Sequence, residues 1–314
     1  MKNAPTSKIR PFLRWAGGKR QLLPLLHTAL PRDFVLGKNK FIEPFIGGGA
    51  FLFSLGNMKS MHSNPLPRRP LPLIAADVNA ELIATYRAIK SDPEAVIKKL
   101  KKLSKMDSAE TFYSVRAQAI EKSDHVGQAV RFIYLNRTCF NGLYRVNRDG
   151  GFNVPYAHLK NPMILNEELL RADSAWLQLV KLEHQSFDKT MDGASEGDVV
   201  YLDPPYVPLS KSSSFSMYAK DDFGLNDQHL LAQKISEVSA RGVRVILSNS
   251  MTAQTEEIFR ESINLYSTKA RRSIAASSAS RGNVDEVIGL SFSLSETRDP
   301  MSLMTSLKTL TSNH

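Results

Sequence analysis

The sequence predicts an α/β fold built on an open, mostly parallel sheet, and three observations carry that reading. Short apolar runs read as buried strands at Phe41-Ile42-Glu43, Ile74-Ala75-Ala76-Asp77 and Val199-Val200-Tyr201-Leu202. Each ends in an acid or a glycine-rich turn, and the first two lead straight into helical patterns, the rhythm of a nucleotide-type α/β fold. That rhythm stops between Ser91 and Val180 and returns after Asp203, so a segment of different organisation interrupts the core.

Size and composition fit this plan. At 314 residues the chain makes one large or two ordinary domains, and its 42% hydrophobic and 23% charged residues are those of a soluble globular protein. No run approaches the roughly 18 apolar residues of a membrane span. Met1 to Arg10 is basic but lacks the apolar core of a signal peptide, so a cytoplasmic protein is expected. The single cysteine, Cys139, excludes an intramolecular disulfide framework and a Cys-rich zinc site, and no metal is expected. A formal net charge of +10 points to a polyanionic partner, most simply nucleic acid.

Near the N-terminus, Phe12-Leu13-Arg14-Trp15-Ala16-Gly17-Gly18-Lys19 precedes an apolar helical stretch. A glycine pair before a helix lets the backbone approach a ligand, and Lys19 can meet an anionic group there. The spacing is not that of a Walker loop. Taken alone, Trp15 fits core packing better than a ligand site. Phe41 to Phe51, with Glu43, Pro44, Phe45 and the glycines Gly47, Gly48 and Gly49, reads as strand, glycine turn and helix start. The next strand ends in Asp77, where such folds place a ribose-binding acid; helix N-capping is the other reading, and the two roles can coexist. A helix is expected from Ala80 to Ile89, and a Pro-, Lys- and Arg-rich surface loop over Asn57 to Leu73.

In the interrupting segment, Glu94 to Ser104 and Thr111 to Tyr134 read as helices. Beyond them, Leu135 to Tyr156 alternates aromatics, arginines and asparagines around the turn signal Asp149-Gly150-Gly151, which suggests a hairpin. Arg and Asn make bidentate contacts to guanine and adenine edges, and aromatics can wedge between bases; a plain hairpin with one polar face fits the composition as well.

The run Val199 to Tyr206 breaks off in Asp203-Pro204-Pro205-Tyr206. Each proline fixes its own φ and steers the preceding residue away from helix, so Asp203 is expected extended at the carboxyl end of a strand. The Asp203 carboxylate and the Pro204 carbonyl then form two fixed acceptors beside the Tyr206 ring. That arrangement suits a flat heterocycle carrying an exocyclic amine, although a strand ending in a tight turn accounts for the residues too. Further on, a helix over Gln228 to Ala240, a strand over Val243 to Ser248 and a helix over Thr255 to Ser262 are expected. Two strands follow, Ile263 to Ile274 and Val284 to Ser293, with no helix between them, so one should run antiparallel. Arg271, Arg272 and Arg281 flank their connection as phosphate contacts or solubilising charges. Beyond Thr297 a polar, frayed tail is expected.

FLRWAGGK (12–19), FIEPFIGGGAFLF (41–53), AADVNAELI (75–83), YLNRTCFNGLYRVNRDGGFNVPY (134–156), VVYLDPPYVPLS (199–210) and KARRSIAASSASRGNVDEV (269–287) together resemble the Dam-type DNA adenine-N6 methyltransferases, in that family's order and over nearly the whole chain. The resemblance implies a doubly wound, Rossmann-like seven-stranded core over 1–90 and 181–296 that binds S-adenosylmethionine. It also implies an inserted, mostly helical target-recognition domain over 91–180 carrying a β-hairpin. It assigns Trp15, Ala16, Gly17, Lys19, Glu43, Pro44, Phe45, Gly47, Gly49, Asp77, Ser186, Phe187 and Asp203 to the cofactor, and Asp203, Pro204, Pro205 and Tyr206 to catalysis. Arg14, Arg137, Phe140, Asn141, Leu143, Arg145, Asn147, Pro155 and His158 become candidate contacts to double-stranded DNA, with Arg145 reading a guanine. The chain departs from the pattern at Arg14, where relatives often have lysine, and at His158-Leu159, where relatives that read GATC commonly have Arg-Tyr.

The expected reaction is methylation of a flipped-out adenine in a short duplex site, GATC or a close variant, by a bacterial or phage enzyme. A monomer is expected, with a cognate restriction endonuclease as a possible partner. Alternatives are an RNA adenine or other amino-group methyltransferase, or a catalytically silent DNA-binding module.

Overall fold

The structure is a computed structural model that describes residues 8–15, 17–58, 72–121, 123–205, 223–271 and 283–309, without the side chains of 270, 271, 283 and 284. Ala16, Tyr206, Arg272, Arg281, the Arg271 side chain and most of the 57–73 loop lie outside the described part.

Among the described residues, eight strands form one sheet in the order β3-β2-β1-β4-β5-β7-β6-β8. They are β1 (Phe41–Glu43), β2 (Leu73–Asp77), β3 (Val180–His184), β4 (Val199–Leu202), β5 (Arg244–Ser250), β6 (Asn264–Arg271), β7 (Asn283–Leu290) and β8 (Lys308–Thr309). The first five are parallel. β7 runs antiparallel between β5 and β6, as the missing helix between the last two predicted strands requires. The eighth strand corrects the expected seven. It arises because the supposed frayed tail instead folds as α11 (Pro300–Ser306), capped by Asp299 and buried through Leu303, followed by β8 on the edge of β6.

Burial on both faces explains the apolar character of the central strands. Along β4, Val199 and Tyr201 join one core while Val200 and Leu202 join the other, the period-two alternation of a strand. The larger core is covered by α1 (Leu23–Ala29), α2 (Ala50–Leu55), α3 (Ala80–Ser91), α4 (Pro93–Ser104), α5 (Ala109–Ala117), α6 (His125–Thr138) and α7 (Glu167–Leu177). The opposite core lies under α8 (Phe187–Asp192), α9 (Leu225–Ala240) and α10 (Ala253–Phe259). The helix expected over Thr111 to Tyr134 is thus two helices, the second starting where the Asp124 side chain accepts from Gly127 N–H.

The chain winds outward from β1 through β2 to β3, then returns to place β4 on the other side of β1. The carboxyl ends of β1 and β4 therefore flank the point where strand order reverses, the crevice in which open α/β sheets bind ligands.

Candidate active site

Asp203 leaves β4 into this crevice, and two donors converge on one of its oxygens. Lys19 Nζ lies 3.0 Å from Asp203 Oδ1, and Ser248 Oγ, from β5, donates to the same atom at 3.2 Å. Ser248 Oγ is itself 2.9 Å from the Tyr201 hydroxyl. Lys19 also lies 3.7 Å from Glu286 Oε2 on β7. The lysine is only 5% exposed, so water screens these pairs little. Gln228, from α9, donates to the Pro205 carbonyl at 3.0 Å and pins the two-proline turn.

Burial pushes the Asp203 carboxyl above its ordinary range, with Lys19 and Ser248 pulling the other way. Glu43, buried at the end of β1, lies well above the usual range because it is desolvated and because Asp203 is near; the Leu52 N–H, donating at 3.1 Å, opposes both. The expectation set an anionic ligand group against Lys19. Two protein carboxylates stand there.

The turn after β1 is shaped by Trp15. A Cβ on Gly47 would fall 2.7 Å from Trp15 Nε1, and one on Gly48 2.9 Å from Trp15 Cβ, so only glycine permits the indole to lie on this turn. Gly47 N–H donates to Asp77 Oδ2 at 3.1 Å, while the Tyr86 hydroxyl donates to the Gly47 carbonyl at 2.8 Å. Asp77 is not the cap of α3: that role falls to Asn79, whose side chain accepts from Leu82 N–H. Beside the turn, the rings of Phe45 and Phe187 stack at 5.3 Å, with Phe223 edge-on to both. Pro44 is buried, and Ser186 begins α8.

These residues suit a cationic cofactor with a ribose and a flat base. The acids Asp77 and Asp203 outnumber Lys19, an excess that favours a sulfonium. The Asp77 carboxylate accepts only backbone N–H groups among the described residues, leaving lone pairs for hydroxyls. The Phe45–Phe187 pair offers an apolar ring surface, and space is open around Gly17, where an added Cβ would meet nothing within 4 Å.

The expected hairpin is held by two isolated antiparallel bridges, Val146 with Phe152 and Cys139 with Tyr156, rather than by continuous strands. Left-handed backbone at Asn141 and Gly142, and the missing N–H of Pro155, prevent a longer ladder. Asn147 Oδ1 accepts from Asp149 and Gly151 N–H and so closes the tip. Arg145 is exposed and oriented by Asn153, whose Oδ1 accepts from Arg145 Nε at 2.6 Å. Phe140 is 46% exposed, its backbone N–H donating to the Pro155 carbonyl, and Leu143 packs against the core. His158 is exposed with φ +51°, its ring edge-on to Tyr156.

Two devices tie this hairpin to the N-terminal segment. Asn136, buried on α6, accepts from Arg14 N–H at 2.8 Å and donates to the Arg14 carbonyl at 2.7 Å. Trp15 stacks on Phe132 and Tyr144. Arg14 thereby comes near Arg137, whose Nε donates to the Met163 carbonyl at 2.7 Å. Burial, together with the charges of Arg14, Arg20 and Arg10, pushes the Arg137 guanidinium down to about 10.

Sequence reasoning missed Ser248, Glu286, Gln228, Tyr86 and Asn136. For Ser248 a signal was present: a polar residue near the carboxyl end of an otherwise apolar strand, Val245-Ile246-Leu247-Ser248. Glu286 carried a weaker one, an acid inside the β-branched run Val284 to Ile288. Asn136 and Tyr86 act across long stretches of chain and leave no local pattern.

Among the described residues no helix is long and apolar enough to cross a membrane, and no group of three or more His, Cys, Asp or Glu could hold a metal ion. The family model described as D12 class N6 adenine-specific DNA methyltransferase matches residues 15–274. The chain is 38% identical over 286 residues to the type II methyltransferase M1.LlaDCHI of Lactococcus lactis subsp. cremoris, covering 89% of this chain and 94% of the relative. It is 37% identical over 278 residues to the type II methyltransferase M.MjaIII of Methanocaldococcus jannaschii, covering 85% and 93%. Against the DNA adenine methylase of Escherichia coli K12 it is 32% identical over 289 residues, covering 90% and 95%.

Proposed function

The chain belongs to the D12 class N6 adenine-specific DNA methyltransferases, and within that family we propose that it methylates a flipped-out adenine in a short duplex site, GATC or a close variant. The observation that carries this reading is the asymmetry of Asp203. Lys19 and Ser248 both bind Oδ1, and among the described residues none donates to Oδ2. Oδ2 and the Pro204 carbonyl are then the two acceptors for the hydrogens of an exocyclic amine.

Those acceptors answer the chemical difficulty. The N6 lone pair of adenine is delocalised into the ring, so the amine is a poor nucleophile. Hydrogen bonds from both of its hydrogens to fixed acceptors favour a pyramidal nitrogen and return the lone pair to it. S-adenosylmethionine, when bound, supplies the methyl group on a sulfonium, an activated leaving group that needs no further acid. Transfer of that methyl group to the nitrogen would leave the electron pair of the carbon–sulfur bond on sulfur, and the proton given up by nitrogen would pass along its hydrogen bond to Asp203 Oδ2 and on to solvent. Placement of the amine in line with the methyl group supplies much of the rate. In this reading Trp15, Gly17, Glu43, Asp77, Phe45, Ser186 and Phe187 surround the cofactor, and Tyr206 stacks on the extruded base.

Target recognition belongs to residues 91–180. Arg145 reads a guanine edge, Phe140, Leu143 and Pro155 press on the stack, and Arg14 and Arg137 meet phosphates. The seat of the Asp203 and Pro204 acceptors within the crevice at the carboxyl ends of the strands supports an extruded target.

The test is transfer of labelled methyl groups to unmethylated duplex DNA, with the modified base and its flanks mapped. Label on adenine in GATC is the expected result. Label in another short palindrome keeps the reaction and assigns the change of site to His158 and Leu159. Label on RNA alone, or cofactor binding without transfer, overturns the reading.

A further inference from the structure

We propose that Glu286 is a positioning residue for methyl transfer, which shares Lys19 with Asp203 and so keeps Oδ2 of that carboxylate available to the target amine. The inference rests on the role given to Asp203 above and concerns a residue with no place in that role.

The geometry begins with strand direction. Were β7 parallel to its neighbours, its first residues would lie at the amino edge of the sheet, far from the crevice. Because it is antiparallel to β5, Glu286 pairs with Ser250 at the carboxyl edge, two residues beyond Ser248. From there its carboxylate lies 3.7 Å from Lys19 Nζ, on an ammonium that is already 3.0 Å from Asp203.

A buried lysine facing one carboxylate alone would form a tight, charge-assisted pair and draw electron density from both carboxylate oxygens. It would also be free to shift toward Oδ2, the atom the amine needs. A second carboxylate counters both effects by dividing the charge of Lys19 and holding the ammonium on the Oδ1 side. Ser248 closes the remaining approach to Oδ1. Among the described residues, the titratable groups around Asp203 include Lys19 from the N-terminal segment, Glu43 on β1, Tyr201 on β4 and Glu286 on β7. Of these, Glu286 is the acid that touches the lysine without lining the turn after β1.

The experiment uses the full chain with labelled S-adenosylmethionine and unmethylated duplex DNA, in single turnover across a range of pH. E286Q removes the charge while keeping size and hydrogen bonding. Its single-turnover rate should fall roughly 10–100-fold, the scale seen when the partner of an orienting side chain is lost. With Lys19 given over to Asp203, the acidic limb of the rate profile should move to lower pH. Affinities for cofactor and duplex, and the melting temperature, should stay close to wild type. E286D keeps the charge and should recover part of the rate and return the acidic limb toward the wild-type position. A rate within twofold of wild type with an unmoved acidic limb overturns the proposal. So does a loss of rate matched by equal losses of cofactor affinity and stability in both variants, which marks a structural role. Wild-type enzyme that leaves adenine unlabelled overturns the reading of Asp203 itself, and the wild-type lane separates that failure from the other two.

Discussion

Trp15 and Tyr144 lie stacked, with ring centroids 6.0 Å apart and planes 21° from parallel. The first ring rests on the glycine turn and the second belongs to the hairpin, so one aromatic contact joins the proposed cofactor side to the proposed DNA side. Stacked pairs contribute about 0.5–1.5 kcal/mol beyond their buried area. A double-mutant cycle of Trp15→Leu and Tyr144→Leu, read by urea unfolding, should return a coupling of that size. A coupling near zero would leave Asn136 as the contact that holds the two parts together.

Asp203→Asn keeps the shape of the turn and the bond from Ser248, yet it removes the negative charge facing the amine and Lys19. Methyl transfer should fall by at least about 10²–10³-fold, the cost typical of losing one aligned electrostatic partner in a transition state. Cofactor should still bind. Turnover retained at the wild-type rate would remove Asp203 from the chemistry.

Arginines at the proposed DNA surface should separate into two kinds. Arg145→Ala should cost about 1–3 kcal/mol at one base pair and relax the preference there. Arg137→Ala should weaken binding evenly across sequences and lower the salt slope by about one unit. Salt titrations on matched and mismatched duplexes distinguish the two patterns. An even loss for Arg145→Ala would make it a phosphate contact as well.

Asp173 supplies a pH signature outside the site. It lies buried on α7, one oxygen accepting from Arg10 N–H at 3.3 Å and the other without a partner among the described residues, and desolvation pushes its carboxyl up to about 8. For an acid whose folded value is raised, the folded state retains a proton that the unfolded chain has already released. Stability is therefore greatest below the unfolded value and falls as pH rises toward about 8. Each unit of that interval contributes at most about 1.4 kcal/mol. Asp173→Asn should flatten this part of the stability profile and raise the melting temperature near pH 8 relative to wild type. Parallel profiles for the two proteins would show that Asp173 does not carry the effect.

Much of this architecture was legible in the chain because the signals were local. Apolar runs marked β1, β2, β4 and β5, and the Asp-Pro-Pro turn marked the end of β4. The lack of a helical pattern in sequence between the last two predicted strands was enough to require the reversed strand. What escaped was set by contacts across the fold. Lys19 read as a ligand for an outside anion because nothing near it in sequence announces Asp203 or Glu286. Capping stood open as the other reading of Asp77 because the actual cap, Asn79, stands only two residues away. The tail read as frayed because its polar composition hides Leu303, whose burial depends on surfaces formed much earlier in the chain.

The same long-range contacts give the chain an order of assembly. Arg14 meets its Asn136 clamp across 122 residues, and the pairing of Lys19 with Glu286 waits until β7 exists. During synthesis Lys19 therefore cannot reach both of its carboxylate partners until nearly all of the sheet has emerged. Contacts this distant are slow to form, since chain entropy must be overcome before they stabilise anything. A nascent or prematurely terminated chain ending before β7 would carry the Asp-Pro-Pro turn without the acid that steadies its lysine. Completion of the site therefore waits on β7, long after the Asp-Pro-Pro turn itself has been made.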